Sequence, residues 1–279
     1  MTIAPANKFR EPTFLERASA WLRRVPVGRY ARRPLQRLYH AALSARTLGR
    51  GLRCDLPSGD TIFVAPAHRH ISWNEVEFRA FRDAVRPGAV ALDIGANVGA
   101  YSMPLGRWVG DTGRVFAFEP SASAYDGLTT HVRMNGLESC VTPIASAVGG
   151  AIGTLPFIVE PTAGEGRLAA ASSSRATVDV PVTTVDAFCA QHGITPDFIK
   201  VDVEGAELDV LRGARETIGR TRGRLALFVE LHPALWGERG VSQADIEREV
   251  ERLGLRVASL VPGADPWTLE GVTARLVAR

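Results

Sequence analysis

AVALDIGANVGAYS, residues 89–102, decides how the chain is read. Val90, Leu92 and Ile94 alternate with small residues, a composition suited to a strand buried within a sheet. Gly95, Ala96, Asn97, Val98 and Gly99 then turn the chain into a helix. Such a turn brings backbone N–H groups and a helix N-terminus against a ligand, and its glycines let that ligand approach the main chain. The next strand, RVFAFE (114–119), ends in Glu119, an acid placed to bind both hydroxyls of a ribose. A tight strand-to-helix connection needs glycine for steric reasons with or without a ligand, so it is the pairing with Glu119 that points to a nucleoside pocket. The dinucleotide fingerprint G-x-G-x-x-G sets its middle glycine against a pyrophosphate. Here the spacing is Gly95, Asn97, Gly99, with the carboxylate of Asp93 just ahead of the turn. That arrangement suits a cationic ligand without phosphates, the character of S-adenosylmethionine.

Outward from this turn the pattern is that of a doubly wound α/β sheet. SASAYDGLTTHVRMNGL (121–137) reads as a helix with Ser121 at its N-cap and Asn135–Gly136 as its stop. VTPIASAV (141–148) reads as one strand whose end puts Ser146 beside the adenine side of the pocket. TLPFIV (154–159) and TVDVPVTTV (177–185) are β-like, and they flank EPTAGEGRLAAASSSRA (160–176), which has no core pattern and is expected to be a lid loop. Upstream, LRCDLPSGDTIFVAP (52–66) forms a hairpin and SWNEVEFRAFRDAV (72–85) a helix. Downstream, a helix over 242–253 and two further β-like runs complete a seven-stranded sheet with a terminal hairpin. The expected organisation is therefore a basic, helical extension over 1–53 and one enzyme-sized domain over 54–279, whose first part, 54–88, is the leading hairpin and helix.

The second informative stretch is PDFIKVDVEGAELDVLRGA, 196–214. Phe198, Ile199, Val201 and Val203 make a buried strand, and in a doubly wound sheet its end flanks the ligand crevice. Lys200, Asp202 and Glu204 then face the ligand and the reacting substrate. Three ionisable groups in alternation on a core strand are costly unless paired or used. The alternative is an internal salt bridge that closes the strand end. RLALFVELHPALW (224–236) repeats the pattern and delivers Glu230 and His232 opposite Asp202.

Residues 1–53 hold 12 basic residues against two acidic ones, leaving 21 of the 33 basic and 28 of the 30 acidic residues to the rest. Helices near 13–24 and 34–48 are expected there, with Leu35, Leu38, Tyr39, Ala42 and Leu43 at helical spacing. The run is either a solvated face or a surface for an anionic partner: a carrier protein, a phosphorylated substrate or a membrane surface. Nucleic acid is the weakest partner, because no binding module accompanies the charge and the body is acidic. No apolar run approaches the roughly 18 residues of a membrane span. The start lacks the apolar centre of a secretory signal. Cys54, Cys140 and Cys189 are too far apart for a zinc site and read as reduced thiols. A cytoplasmic location follows, with a peripheral membrane position allowed by the basic stretch.

Four motifs in order, DIGANVGAYS, FEPSASAYDGLTTHVRMNGL, DFIKVDVEGAELDVLRGA and FVELHP, resemble those of the FkbM-type methyltransferases. The resemblance spans about residues 78–232. It implies a Rossmann-like class I fold, S-adenosylmethionine as cofactor, and methyl transfer to an oxygen of a natural product, sugar or glycolipid. Under it, Asp93, the Gly95–Asn97–Gly99 backbone and Ser121 belong to the cofactor end, with Glu119 on the ribose, Ser146 at the adenine edge and Asp202 between cofactor and acceptor. His232 or Asp202 is expected to deprotonate the acceptor, with Lys200 and Glu204 organising that wall. A divalent cation on Asp202, Glu230 and His232 is the alternative, ranked below the metal-free route. The rival enzyme is a nicotinamide-dependent dehydrogenase, which needs a glycine where Asn97 stands. Its short-chain type needs Tyr-x-x-x-Lys, which no tyrosine here provides. The rival from another class is a non-catalytic nucleoside-binding scaffold acting through its basic arm.

Overall fold

The computed structural model describes residues 41–42, 45, 47, 49–159, 166–169, 176–221 and 223–279. Most of the basic extension and its expected helices lie outside them. Two compact units are distinguished, Met1–Glu75 and Val76–Arg279. In the first, β1 (Leu52–Asp55) and β2 (Thr61–Val64) pair antiparallel as the expected hairpin.

Next along the chain comes α1 (Glu75–Ala84), followed by β3 (Val90–Ile94), α2 (Ser102–Val109), β4 (Arg114–Phe118), α3 (Ala122–Met134) and β5 (Val141–Ile144). Then come the short strands β6 (Ala147–Val148), β7 (Gly153–Val159), β8 (Gly166–Leu168) and β9 (Thr177–Thr183). The chain continues through α4 (Val185–His192), β10 (Phe198–Val201), α5 (Glu207–Arg212), α6 (Arg215–Thr221), β11 (Ala226–Leu231) and α7 (Pro233–Trp236). It ends with α8 (Gln243–Arg252), β12 (Leu255–Ser259) and β13 (Val272–Ala278). The main sheet has seven strands in the order β12-β13-β11-β10-β3-β4-β5. From β11 to β5 all neighbours run parallel, and β13 is antiparallel to both β11 and β12. This is the doubly wound α/β sheet that the sequence predicts, terminal hairpin included.

Strand periodicity sorts the core into two faces. Ile199, Val201, Leu227 and Val229 pack with Phe188, Leu208, Leu211, Ile218, Ile246 and Val250 from the helices. On the other face Phe81 of α1 meets Phe198 and Phe228 edge-on, with ring centroids 5.5 and 4.8 Å apart, and Tyr101 at 4.9 Å. Asp93, Lys200 and Phe228 lie in register across β3, β10 and β11. The charged residues therefore leave the sheet on the face capped by aromatic rings, at the carboxyl ends of the strands.

Two expectations are corrected. The run 141–148 is not one strand: β5 stays in the main sheet, while β6 joins a second, four-stranded sheet of order β6-β9-β7-β8. The break falls at Ser146, whose hydroxyl lies within donating distance of the carbonyls of Ala147 and Pro181, at 2.9 and 3.0 Å. Nor is 160–176 a plain loop, since Gly166–Leu168 pairs antiparallel with β7. Ser121 is the N-cap residue of α3, but its side chain makes no cap hydrogen bond. Among the described residues no helix is long and apolar enough to cross a membrane.

Candidate active site

The carboxyl ends of β3, β4, β10 and β11 surround a cavity of about 270 Å³. Its floor is the turn after β3. A Cβ on Gly95 would stand 1.7 Å from the carbonyl oxygen of Asp202, and Gly95 has φ +80°, so only glycine lets the first turn pass so close to the end of β10. At Gly99, φ +89°, a Cβ would meet Leu128 of α3 at 2.8 Å. Asn97 takes the left-handed conformation, φ +48°, and lines the cavity. Both glycines are thus set by packing, and the recognition chemistry falls to the side chains around them.

Glu119 stands at the end of β4. Its two oxygens accept the backbone N–H groups of Asn97 at 2.8 Å and Ser121 at 2.7 Å. Burial pushes its carboxyl up to about 7, even though both N–H groups and the charges nearby act on it as well, the N–H groups in the opposite sense. Each oxygen has a second lone pair beyond the one these bonds use. Beside it, Phe118, Val148, Phe157 and Leu168 make an apolar side. The last three come from the second sheet. Ser146 lines the cavity too, with its hydroxyl turned to the carbonyl of Pro181.

The opposite wall carries Asp202, Glu204 and Glu230. Behind it Lys200, 4% exposed, reaches Asp202 Oδ2 at 3.0 Å and Asp93 Oδ1 at 3.8 Å, and lies over the Tyr101 ring. Burial alone would lower its pKa, but the carboxylates of Asp202, Asp93, Glu230 and Glu77 outweigh burial and hold the ammonium charged. Asp93 is fully buried, accepts the Ser102 hydroxyl at 2.5 Å, and has its carboxyl raised chiefly by burial. The salt bridge that was the alternative reading of this strand is therefore present. Lys200 ties β3 to β10, and Asp202 reaches the cavity. Burial, with Asp202 and Glu77 adding to it, lifts Glu230 to about 8.

His232 sits just past β11. Its Nδ1 is 2.7 Å from Glu207 Oε1, and the same carboxylate accepts the Gly205 N–H at 2.9 Å and the Trp236 indole N–H at 2.9 Å. Burial would lower the imidazole's pKa, but the hydrogen bond and charge of Glu207, with Glu204 and Asp202, raise it to about 9. Of the residues that the sequence singled out, Gly95, Asn97, Glu119, Ser146, Asp202, Glu204 and Glu230 line the cavity. Asp93, Gly99, Ser121, Lys200 and His232 stand behind that lining. The sequence reading missed Glu207, which orients His232, and the apolar side given by Phe157 and Leu168.

The FkbM methyltransferase domain, as a family profile, matches residues 93–257. The hexuronic acid methyltransferase AglP of Haloferax volcanii is 24% identical over 192 residues, 65% of this chain and 76% of that protein. The methyltransferase sdnD of Sordaria araneosa is 27% identical over 156 residues, 45% of this chain and 60% of that protein. The solved structure of methyltransferase FkbM from Methylobacillus flagellatus KT aligns with a TM-score of 0.45 at 17% identity, covering 72% of this chain and half of that one. By the match over residues 93–257, the chain belongs to the FkbM methyltransferase family.

Proposed function

We propose that this chain transfers the methyl group of S-adenosylmethionine to a hydroxyl oxygen of a small acceptor, a sugar, glycolipid or natural product. The observation that carries the reading is the charge of the cavity. Four carboxylates, Glu119, Asp202, Glu204 and Glu230, line it, and among the described residues no lysine or arginine does. A dinucleotide's pyrophosphate would be repelled there, which argues against the dehydrogenase alternative, whereas a sulfonium and an ammonium are attracted. The apolar side of Phe118, Val148, Phe157 and Leu168 suits a nucleobase, and the second lone pairs of Glu119 suit ribose hydroxyls. The residues present therefore fit this cofactor. That the Haloferax relative is named for a hexuronic acid supports a hydroxyl-rich acceptor of the sugar class.

When bound, S-adenosylmethionine supplies a methyl group already activated by its sulfonium. The chain's task is then to align the acceptor and take one proton. Asp202 and Glu204 accept hydrogen bonds from the acceptor and hold it against the β10 end. With no cation beside it, His232 keeps its proton to about pH 9 and is not the base at neutral pH. The proton goes instead to the carboxylate wall of Asp202 and Glu204, because Glu230, lifted to about 8, holds its own proton at neutral pH and becomes a base only above it. Lys200 keeps Asp202 in place.

Titration calorimetry with S-adenosylhomocysteine, S-adenosylmethionine and NAD tests the reading. Both sulfur nucleosides are expected to bind and NAD not to, with Glu119→Ala weakening the nucleosides by about 1–3 kcal/mol. Preference for NAD, or no nucleoside binding, would sink it.

A further inference from the structure

We propose that Asp202, Glu204 and His232 form a divalent cation site of the oxygen-rich, six-coordinate kind that takes Mg²⁺ or Mn²⁺. One ligand atom of each residue lies within 4.8 Å of the other two. Nε2 of His232 is 3.8 Å from Asp202 Oδ1, 3.8 Å from Glu204 Oε2 and 3.8 Å from Glu230 Oε1. All three gaps exceed hydrogen-bond reach. Neighbouring ligands at about 2.1–2.2 Å from a six-coordinate ion, roughly 90° apart around it, stand about 3.0 Å from each other. The gaps are about 0.8 Å wider, which a turn of the part-exposed Asp202 and Glu204 carboxylates closes on binding. An imidazolium serving only as a counter-ion would close one of them to about 2.8 Å.

An independent observation points the same way. The His232 side chain is 8% exposed, and its one side-chain hydrogen bond among the described residues is made by Nδ1 to Glu207. Glu207 is fully buried and is itself held by Gly205 and Trp236. The ring cannot turn away, so Nε2 is aimed at the carboxylates with no hydrogen bond of its own among the described residues, and a cation bound there takes the place of its proton. Histidine that binds a metal characteristically hands its other ring N–H to a carboxylate in this manner, which fixes the tautomer and raises ligand basicity. Two carboxylates and one imidazole favour Mg²⁺ or Mn²⁺ over the softer metals that thiolates select. This set differs from the sequence expectation in that Glu204, from the turn after β10, takes the place given to Glu230.

Three protein ligands leave three of six positions open. An acceptor whose hydroxyl has a second oxygen beside it, a vicinal diol or a hydroxy acid, would fill two of them. The ion would lower that hydroxyl's pKa. This role rests on the methyltransferase reading, but the site itself does not.

The test is a titration of the full chain with Mn²⁺, without nucleoside or acceptor, following the free-ion signal by electron paramagnetic resonance. Mg²⁺ is then added as competitor. One Mn²⁺ per chain, displaced by Mg²⁺, is expected. Glu204→Gln should weaken it at least tenfold. The Glu204 side chain is 38% exposed, so an unchanged thermal midpoint checks that the variant is folded. Asp202→Asn is the second variant. No binding at millimolar Mn²⁺, or binding that Glu204→Gln leaves intact, would overturn the proposal. A chain that binds Mn²⁺ but no sulfur nucleoside overturns the methyltransferase reading alone, and one that binds the nucleoside but no Mn²⁺ overturns the cation site alone.

Discussion

At the β4 end of the cavity a carboxylate is held by main chain: Glu119 accepts N–H groups from residues two and 22 positions away. At the β11 end an imidazole is held by side chains: His232 leans on Glu207, 25 positions away, and Glu207 on the Trp236 indole, 29 away. Both arrangements satisfy buried polar groups. The first survives any change at residues 97 and 121 other than proline that keeps the turn, because every other residue carries the backbone donor. The second depends on three particular side chains, so each is a point of failure.

Glu207→Ala breaks the comparison hardest. It leaves the Gly205 N–H, the His232 ring N–H and the Trp236 indole N–H without an acceptor where Glu207 was fully buried. A loss of about 3–5 kcal/mol is expected, the scale for stripping a buried charged partner. Urea unfolding followed by tryptophan fluorescence measures it. Glu207→Gln, which keeps the volume and one acceptor oxygen, should lose clearly less. Equal losses would mean that the site is held by packing, not by these hydrogen bonds.

The next effect, at Glu119, is smaller and depends on pH. Burial puts its folded-state pKa at about 7, above the unfolded carboxyl. The folded chain therefore holds this proton more tightly. Its contribution to stability is fully present below about pH 4.5 and is lost as pH rises through about 7. Ribose hydroxyls donate to the ionised carboxylate, so nucleoside binding must expel the proton. Affinity for S-adenosylhomocysteine should rise about tenfold from pH 6 to pH 8, or about 1.4 kcal/mol, and level off above. Calorimetry in buffers of different ionisation heat should show proton release below pH 7. In Glu119→Gln both effects should vanish. A flat profile in the unmodified chain would place the ribose elsewhere.

The same contrast explains what could be read from the sequence. β3, β4, β10 and β11 each carry their own pattern, an apolar run closed by an acid, and the doubly wound order places those ends together. Asp202, Glu204, Glu119 and Glu230 were therefore legible from local sequence. Glu207 was not: an acid in the first turn of a helix fits the helix dipole wherever it occurs, and nothing nearby announces Trp236 as its partner. The break at Ser146 was hidden because 141–148 is β-like from end to end, with only Thr142 and Ser146 polar, and only its bond to Pro181, 35 residues on, shows where the sheets part. β8 was hidden because a Gly-Arg-Leu triplet has no periodicity of its own. Its strand character is conferred by β7.

The smallest expected effect is the sharpest check on the comparison. Ser121 was expected at the cofactor end, and it is 1% exposed, which would ordinarily mark its hydroxyl as important. Yet that hydroxyl lies 3.3 Å from the Ser123 hydroxyl and makes no cap bond to α3, while the bond to Glu119 comes from the Ser121 backbone N–H. Ser121→Ala keeps that N–H. It should therefore change stability by less than about 0.5 kcal/mol, and calorimetry should find S-adenosylhomocysteine affinity within about twofold of the unmodified chain. A tenfold loss of affinity with stability unchanged would show the hydroxyl reaching the ligand, and the β4 end would then depend on side chains as the β11 end does.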